Sequence, residues 1–198
     1  MRIDIDPASV PDEQGGSGYA VMTSLIVPRP IAWVSTIDAA GVGNLAPHSF
    51  FTAVSASPPI VAFTSVGEKD TLANIEATGE FVVNLASEPL MDAVNATSAS
   101  FGPEVDEAVE CGVRMEPSAV VSVPRVADSP AAIECRLHDT LRVGDSVLVM
   151  GQVVSFSIAA EALDGSRLAR MDVLRPVSRL GGSEWGLPPE VVEVQRPR

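Results

Sequence analysis

The most constraining feature of this sequence is a run of strict apolar–polar alternation from Ala132 to Val143. A two-residue period predicts a half-buried β-strand, and Asp139 is the one exception on its apolar face. The apolar face consists of Ile133, Cys135, Leu137, Leu141 and Val143, and the polar face of Glu134, Arg136, His138, Thr140 and Arg142.

A hairpin partner follows this strand directly. Gly144-Asp145 is a dipeptide that favours a tight hairpin turn. The partner strand, Ser146 to Ile158, would span roughly 43 Å at about 3.3 Å per residue, with Gly151 as a predicted bulge. A strand this long is accommodated most easily when it curves around a barrel.

The remaining elements are mostly further strands. Because strands outnumber helices and do not alternate regularly with them, we expect a mainly β fold with a few short helices rather than a parallel βαβ sheet. The predicted strands are Ile31–Ile37, Phe50–Ser57, Ile60–Val66 and Phe81–Ala86, with a turn at Asp38–Gly43. The predicted helices are Asp70–Thr78, capped by Asp70 or Thr71 and ended by Gly79; one capped by Ser87; and Glu104–Cys111, ended by Gly112.

Size and charge limit the class of protein. A chain of 198 residues fits one domain, and its net charge of −13 disfavours nucleic acid and anionic membrane surfaces as partners. No stretch approaches the roughly 20 apolar residues that span a bilayer, and the N-terminus lacks signal-peptide order. Cys111 and Cys135 form no CxxC pair, which indicates a reduced, cytoplasmic protein without a metal site.

Lys69 is the only lysine in this acidic chain, and it lies where a strand ends and a helix begins. Free backbone N–H groups and the positive end of the helix dipole favour an anion at such a place. This arrangement predicts a phosphate site formed by Lys69, Asp70 and Thr71. The alternative is an ordinary helix cap beside a solvated lysine. Arg29, between two prolines, is a further source of positive charge, although by itself it indicates a surface arginine on a rigid extended segment.

The segment Asn44 to Phe51 reads as a loop of small residues that can offer backbone groups to the edge of a heterocycle; the alternative is an ordinary strand entry. Gly41-Val-Gly43-Asn-Leu-Ala46 matches a dinucleotide fingerprint, but Pro47 follows where a helix should open. His48 lies in this segment and His138 on a polar strand face. No nucleophile–base, metal-ligand or paired-carboxylate pattern is present, so we name no catalytic side chain and expect chemistry borrowed from a cofactor.

Taken in order, several segments resemble the flavin reductase-like family, and they cover most of the chain from Tyr19 to Gly182. Each segment is weak alone, but their ordered combination is specific. They are Pro28–Ile37, Asn44–Phe51, Ser57–Pro59, Lys69–Asn74, Gly79–Asn84, Asn95–Thr97 and Arg179–Gly182.

The resemblance implies a Greek-key split β-barrel of the FMN-binding type that forms a homodimer with FMN near the subunit interface. It implies domain limits of 19–182, with a lead-in at 1–18 and a C-terminal extension at 183–198. The ring of FMN would lie along Ala46, Pro47, His48, Ser49 and Phe50, where His48 only lines the site. The phosphate would be held by Thr64, Ser65, Lys69, Asp70 and Thr71, with Asn95, Arg179 and Arg29 as further contacts.

The resemblance also implies an oxidoreductase in which NADH or NADPH reduces FMN, with oxygen, a free flavin or a flavin-using partner enzyme as acceptor. One alternative is a flavoredoxin-like FMN electron carrier that a partner protein reduces. Another is a non-enzymatic barrel that binds a different small ligand. A pyridoxamine phosphate oxidase-like enzyme shares the barrel type, but the loop Asn44–Ser49 resembles the flavin reductase group more closely.

Overall fold

The computed structural model describes residues 2–7 and 18–197. Most of the predicted lead-in, including Pro11 and Gly15-Gly16, lies outside these residues. The strands are β1 (Arg29–Pro30), β2 (Ala32–Ile37), β3 (Gly43–His48), β4 (Phe51–Ala56), β5 (Pro59–Val66), β6 (Glu80–Leu85), β7 (Met115–Glu116), β8 (Arg125–Val126), β9 (Ala131–Val143), β10 (Ser146–Ile158), β11 (Ser178–Arg179) and β12 (Trp185–Gly186). The α-helices are α1 (Tyr19–Leu25), α2 (Asp70–Thr78), α3 (Met91–Ala96), α4 (Glu107–Glu110) and α5 (Met171–Leu174), with 3₁₀ turns at Glu88–Leu90 and Ala160–Ala162.

Seven strands form one antiparallel sheet in the order β3-β2-β6-β9-β10-β5-β4. The mainly β prediction is therefore confirmed. The predicted hairpin is present: Val143 pairs with Ser146, and Gly144 takes the left-handed φ of 62° that such a turn requires. Within the described part of the chain, no helix is long and apolar enough to cross a membrane.

The long hairpin bends at the predicted bulge. Met150 pairs with Asp139, but the next residue, Gly151, pairs with Leu137, so His138 is an extra residue in β9. A Cβ atom on Gly151 would lie 2.3 Å from Cζ of Phe81. Glycine is therefore required here because the β10 backbone passes directly over a buried ring.

This bulge explains where the alternation in β9 misleads. Before the bulge, Cys135 lies opposite Val153; after it, Arg142 lies opposite Val147, and both valines are buried. Because one extra residue swaps the two faces of a strand, the apolar residues beyond the bulge point away from the core. Leu141 and Val143 are accordingly 53% and 58% exposed, which corrects the prediction of one continuous apolar face.

The sheet packs against a different core on each side. Val34, Phe63, Phe81 and Ile75 belong to one buried cluster that includes α2. Trp33 belongs to a second cluster, which reaches α3 through Val94. Strand β2 lies between β3 and β6 and is buried from Ala32 to Thr36, because its alternate side chains pack into both cores. Its pairing holds the neighbouring edge strand β3 in place.

Three local predictions need correction. Asn44 to His48 belongs to strand β3, which pairs with β2 along its whole length; the alternative of an ordinary strand entry is therefore correct, and only residues 49–50 connect β3 to β4. Helix α2 begins at Asp70 as predicted, but Lys69 occupies the N-cap position and no side chain caps it. Ser87 precedes a 3₁₀ turn and makes no side-chain cap.

The third helix is shorter than predicted. It covers only Glu107–Glu110, because the side chain of Asp106 caps it by accepting from the N–H groups of Ala108 and Val109. Gly79 and Gly112 follow their helices with positive φ values of 73° and 66°, as the C-terminal stop signals predict.

Candidate functional site

Three adjoining polar cavities lie along edge strand β3, and Pro47 lines all of them. Their volumes are about 350, 300 and 250 Å³. We call them the first, second and third cavities. Together they form a continuous depression of the size that small-molecule ligands occupy.

The first cavity lies between β3 and the beginning of α2. Lys69 lines both this cavity and the second one, together with Pro47 and His48. Lys69 is exposed, yet it lines the same depression as residues 46–48. No side chain caps α2 and the N–H of Leu72 donates to the carbonyl of Lys69, so the N–H groups of Asp70 and Thr71 are the ones left available in its first turn. The structure thus brings Lys69, Asp70 and Thr71 together with Ala46, Pro47 and His48.

A buried hydrogen-bond network forms the floor of the first cavity. Asn44 donates from Nδ2 to the hydroxyls of Thr71 (2.9 Å) and Thr36 (3.3 Å). The Thr71 hydroxyl lies 3.4 Å from Nε2 of His48. These contacts tie the first turn of α2 to strand β3, so the two walls of the cavity are held in fixed positions.

His48 is buried, and its ring lies 4.6 Å from the ring of Phe63. Burial lowers the pKa of His48 to about 4; the charge of Lys69 adds to this effect, and a backbone hydrogen bond to Thr64 opposes it. The imidazole is therefore neutral near pH 7. His48 contributes a neutral wall and leaves Lys69 as the cation of the first cavity.

Two of the carboxylates around Lys69, those of Glu68 and Glu107, have other partners. Glu68 forms an exposed ion pair with Arg142 at 3.1 Å. Glu107 lines the first cavity and accepts from the N–H of Leu45 at 2.9 Å. Burial raises the pKa of Glu107, although the Leu45 hydrogen bond opposes this shift.

Ser49, Phe50 and Thr64 line the second cavity. Ser65 does not: its buried hydroxyl donates to the carbonyl of Gly67 at 3.0 Å. That hydrogen bond fixes the turn that leads from β5 to Lys69. Ser65 therefore shapes the approach to the site instead of facing it.

Arg29 is 7% exposed, so the expectation of a surface arginine is wrong. Its guanidinium donates to the carbonyls of Thr23, Ile26 (3.0 Å) and Leu180 (2.8 Å), and Nε lies 3.5 Å from the Ser49 hydroxyl. Burial lowers the pKa of Arg29. The residue anchors the end of α1, because these carbonyls occupy its donors.

Asn95 and Arg179 line the third cavity with Ser49 and Trp185. The Arg179 guanidinium lies 5.1 Å from the centroid of the Trp185 ring and donates to the carbonyl of Gly182 at 2.7 Å. Trp185 pairs with Arg179 in the small sheet. Residues beyond 182 therefore contribute to the walls of this depression.

Several lining residues were not predicted. Tyr19 lines the second cavity, but nothing in its sequence surroundings signals this. Thr97 was noted only as part of a matching segment; its hydroxyl accepts from Nε1 of Trp33 at 2.9 Å. The unpredicted residues of the first cavity also include Ser98, Ser100, Phe101 and Glu107.

In residues 2–7 and 18–197, no group of three or more His, Cys, Asp or Glu side chains could hold a metal ion. Cys135 is buried, which raises the pKa of its thiol to about 12. Cys111 is partly buried, and its thiol pKa is also raised by desolvation. Neither thiol has the low pKa of a reactive cysteine.

The sequence and the fold of this chain are similar to those of known proteins. The family model described as "Flavin reductase like domain" matches residues 22–172. The crystal structure of nitrilotriacetate monooxygenase component B from Bacillus cereus is 31% identical, with 98% of this chain and 99% of that chain covered and a TM-score of 0.91. The 2-nitrobenzoate 2-nitroreductase of Pseudomonas fluorescens is 29% identical, with 98% and 96% covered and a TM-score of 0.90.

A third structure bears on the fold alone. A protein with a split barrel domain from Shewanella frigidimarina shares only 17% identity, yet each chain is covered completely and the TM-score is 0.90. The predicted split β-barrel is therefore confirmed.

Proposed function

Because this chain belongs to the flavin reductase-like domain family, we propose that it is an FMN-binding oxidoreductase that takes electrons from NADH or NADPH. The observation that carries this proposal is the position of Lys69. The only lysine of the chain lines two of the three cavities along β3, next to an uncapped helix start.

The surroundings of Lys69 fit a single phosphate group. The ammonium, the N–H groups of Asp70 and Thr71 and the Thr71 hydroxyl supply donors of the kind that phosphate oxygens accept. Asp70 and Glu107 also line this cavity, and their carboxylates would repel a second phosphate group. This balance supports FMN over a dinucleotide flavin.

The end of β3 and the connection after it support a flat ring system. Ala46, Pro47, Ser49 and Phe50 line the depression, and the carbonyl groups on the free edge of β3 can accept hydrogen bonds from the edge of a heterocycle. Asn95 and Arg179 at its far end are assigned to the same ligand or to the nicotinamide. Arg29 and Ser65 act indirectly, by holding α1 and the turn before Lys69.

Bound FMN would supply the redox chemistry, by accepting a hydride from nicotinamide C4 at flavin N5 and passing electrons onward. The protein side chains bind and orient. His48, neutral near pH 7 because burial lowers its pKa to about 4, adds no positive charge beside the ring. No side chain needs to act as an acid in the hydride step.

The electron acceptor would be oxygen, a free flavin or a flavin-using partner enzyme. The name of the Bacillus cereus protein, component B of a monooxygenase, supports the partner enzyme. We also propose a homodimer and a functional domain at residues 19–182, as the resemblance implies, and a cytoplasmic location, as the cysteine usage indicates.

The test is FMN titration of Lys69→Ala. One charge-assisted contact to phosphate contributes about 1.5–3 kcal/mol, so the Kd for FMN should rise about tenfold or more. The control is Arg114→Ala, which removes an exposed cation on another part of the surface and changes net charge equally. Equal FMN affinity in both variants would show that Lys69 does not bind the phosphate.

The reaction is tested by stopped-flow mixing of the FMN-loaded protein with NADH and with NADPH. Bleaching of the flavin absorbance supports the oxidoreductase. Reduction only by a protein donor would favour the flavoredoxin-like carrier, and a colourless protein that takes up no FMN would favour a different ligand.

A further inference from the structure

A fourth cavity, of about 530 Å³, lies beside the polar depression. It is bounded by α1, the N-terminal segment 2–7 and the turn between β9 and β10. Its lining is mainly apolar, and we call it the apolar cavity. The apolar side chains that line it are Ile5, Pro7, Val21, Met22, Leu25, Phe50 and Val66.

The apolar cavity is continuous with the proposed FMN site. Tyr19, Phe50, Val66 and Asp145 line both it and the second cavity. The rings of Tyr19 and Phe50 lie 6.3 Å apart at an angle of 36° and form the boundary between the two. A molecule in the apolar cavity would thus lie next to a molecule in the polar depression.

The wall formed by α1 is held in place by the buried Arg29. Its guanidinium donates to the carbonyls of Thr23 and Ile26 at the end of α1 and to that of Leu180 on a distant segment. The Thr23 hydroxyl also donates to the carbonyl of Tyr19 at 2.9 Å. Because these contacts are internal to the chain, the cavity wall does not depend on a ligand.

The lining defines the class of ligand. Among the described residues of the apolar cavity there is no lysine or arginine, and the one charged side chain is that of Asp145. An anion would therefore lose its hydration without gaining a partner, whereas an apolar ring would bury surface against Met22, Phe50 and Val66. The volume lies within the range of small-molecule sites.

We propose that the apolar cavity binds a small uncharged compound with one or two apolar rings. Its role as the substrate of the neighbouring site rests on the proposed function, but its binding does not. At the rim, the Ser146 hydroxyl donates to the Asp145 carboxylate at 2.8 Å, and the remaining lone pairs of this pair can accept a hydrogen bond from one polar substituent.

The test uses N-phenyl-1-naphthylamine, an uncharged dye that fluoresces in apolar surroundings. Met22→Glu places a carboxylate in the wall at a side chain that is 42% exposed, and Leu25→Glu is a second variant of the same wall. The control is Ile26→Glu, since Ile26 is 59% exposed at the end of the same helix and does not line the cavity. Thermal unfolding of all variants verifies that they are folded.

We expect saturable binding of one dye per chain, a dissociation constant raised about tenfold or more by Met22→Glu, and a change within about twofold for Ile26→Glu. Absence of saturable binding, or equal affinity in the wild type and both wall variants, would refute the proposal. The proposal would also be refuted if the protein forms a dimer that excludes the dye and Met22→Glu converts this dimer to a monomer. The occupant of the cavity would then be a second copy of the chain. FMN titrated separately distinguishes the two proposals: dye binding without FMN binding refutes only the proposed function.

Discussion

Replacement of Glu134 should strongly destabilise the fold. It is fully buried in β9, and its carboxylate accepts from the N–H groups of Ala119 (2.9 Å), Val120 (2.7 Å) and Val121 (3.2 Å). These bonds hold a segment whose Val121 and Val123 cover the sheet in a third apolar cluster.

The change Glu134→Gln keeps the shape and removes the charge. An amide offers one oxygen, and its NH₂ group faces N–H donors, so at least one buried donor is left unpaired. A buried donor without a partner costs about 1–3 kcal/mol, and hydrogen bonds to charged groups contribute about 1.5–3 kcal/mol. We therefore expect the free energy of unfolding to fall by about 2–4 kcal/mol.

The assay is urea unfolding, with the midpoint and the m-value fitted separately. The midpoint should fall while the m-value stays the same, and amide exchange at Val120 and Val121 should accelerate more than at Val149. Glu190→Gln, in the exposed C-terminal segment, is the control and should change stability by less than about 0.5 kcal/mol. A loss below about 0.5 kcal/mol for Glu134→Gln would refute the assignment of these hydrogen bonds.

Two further predictions concern packing and pH. Gly151→Ala should destabilise the protein by about 1–3 kcal/mol in the same urea assay, because the added methyl would overlap the ring of Phe81. The control is Gly165→Ala, where the added methyl meets no atom within 4 Å and stability should hardly change. Equal effects of the two substitutions would contradict the close approach of Gly151 to Phe81. Folding lowers the pKa of His48 from 6.5 to about 4, so the unfolded chain binds more protons than the folded protein between these pH values. The free energy of unfolding should therefore fall as pH drops from about 6.5 to about 4, by up to about 3 kcal/mol. His48→Gln should remove this part of the pH dependence and His138→Gln, at an exposed site, should retain it; a slope that survives His48→Gln would refute the assignment.

Features that depend on neighbouring residues were predicted well from the sequence. The turn at Gly144 and the helix end at Gly79 need only a left-handed backbone, and the bulge at Gly151 follows from one glycine in a long strand. Lys69 was singled out because a lone cation in an acidic chain is conspicuous, and the structure places it beside Pro47 and His48.

Features that depend on distant residues could not be predicted. The alternation in β9 runs to Val143 with Asp139 as its one exception, and that exception is the only local sign that the extra residue His138 reverses the two faces. Glu134 looks like a solvent-facing residue until Ala119 to Val121 fold over it. Arg29 looks exposed because the carbonyl of Leu180 that it binds is far away in the chain.

The edge position of β3 has a consequence for association with other chains. An exposed edge normally invites strand addition from a second molecule, and so aggregation. Here Pro47 has no N–H to offer, and the N–H of Leu45 is already taken by the Glu107 carboxylate. A second polypeptide therefore finds few N–H donors for pairing along the free edge of β3, while residues of the same strand still line the depression for a small molecule.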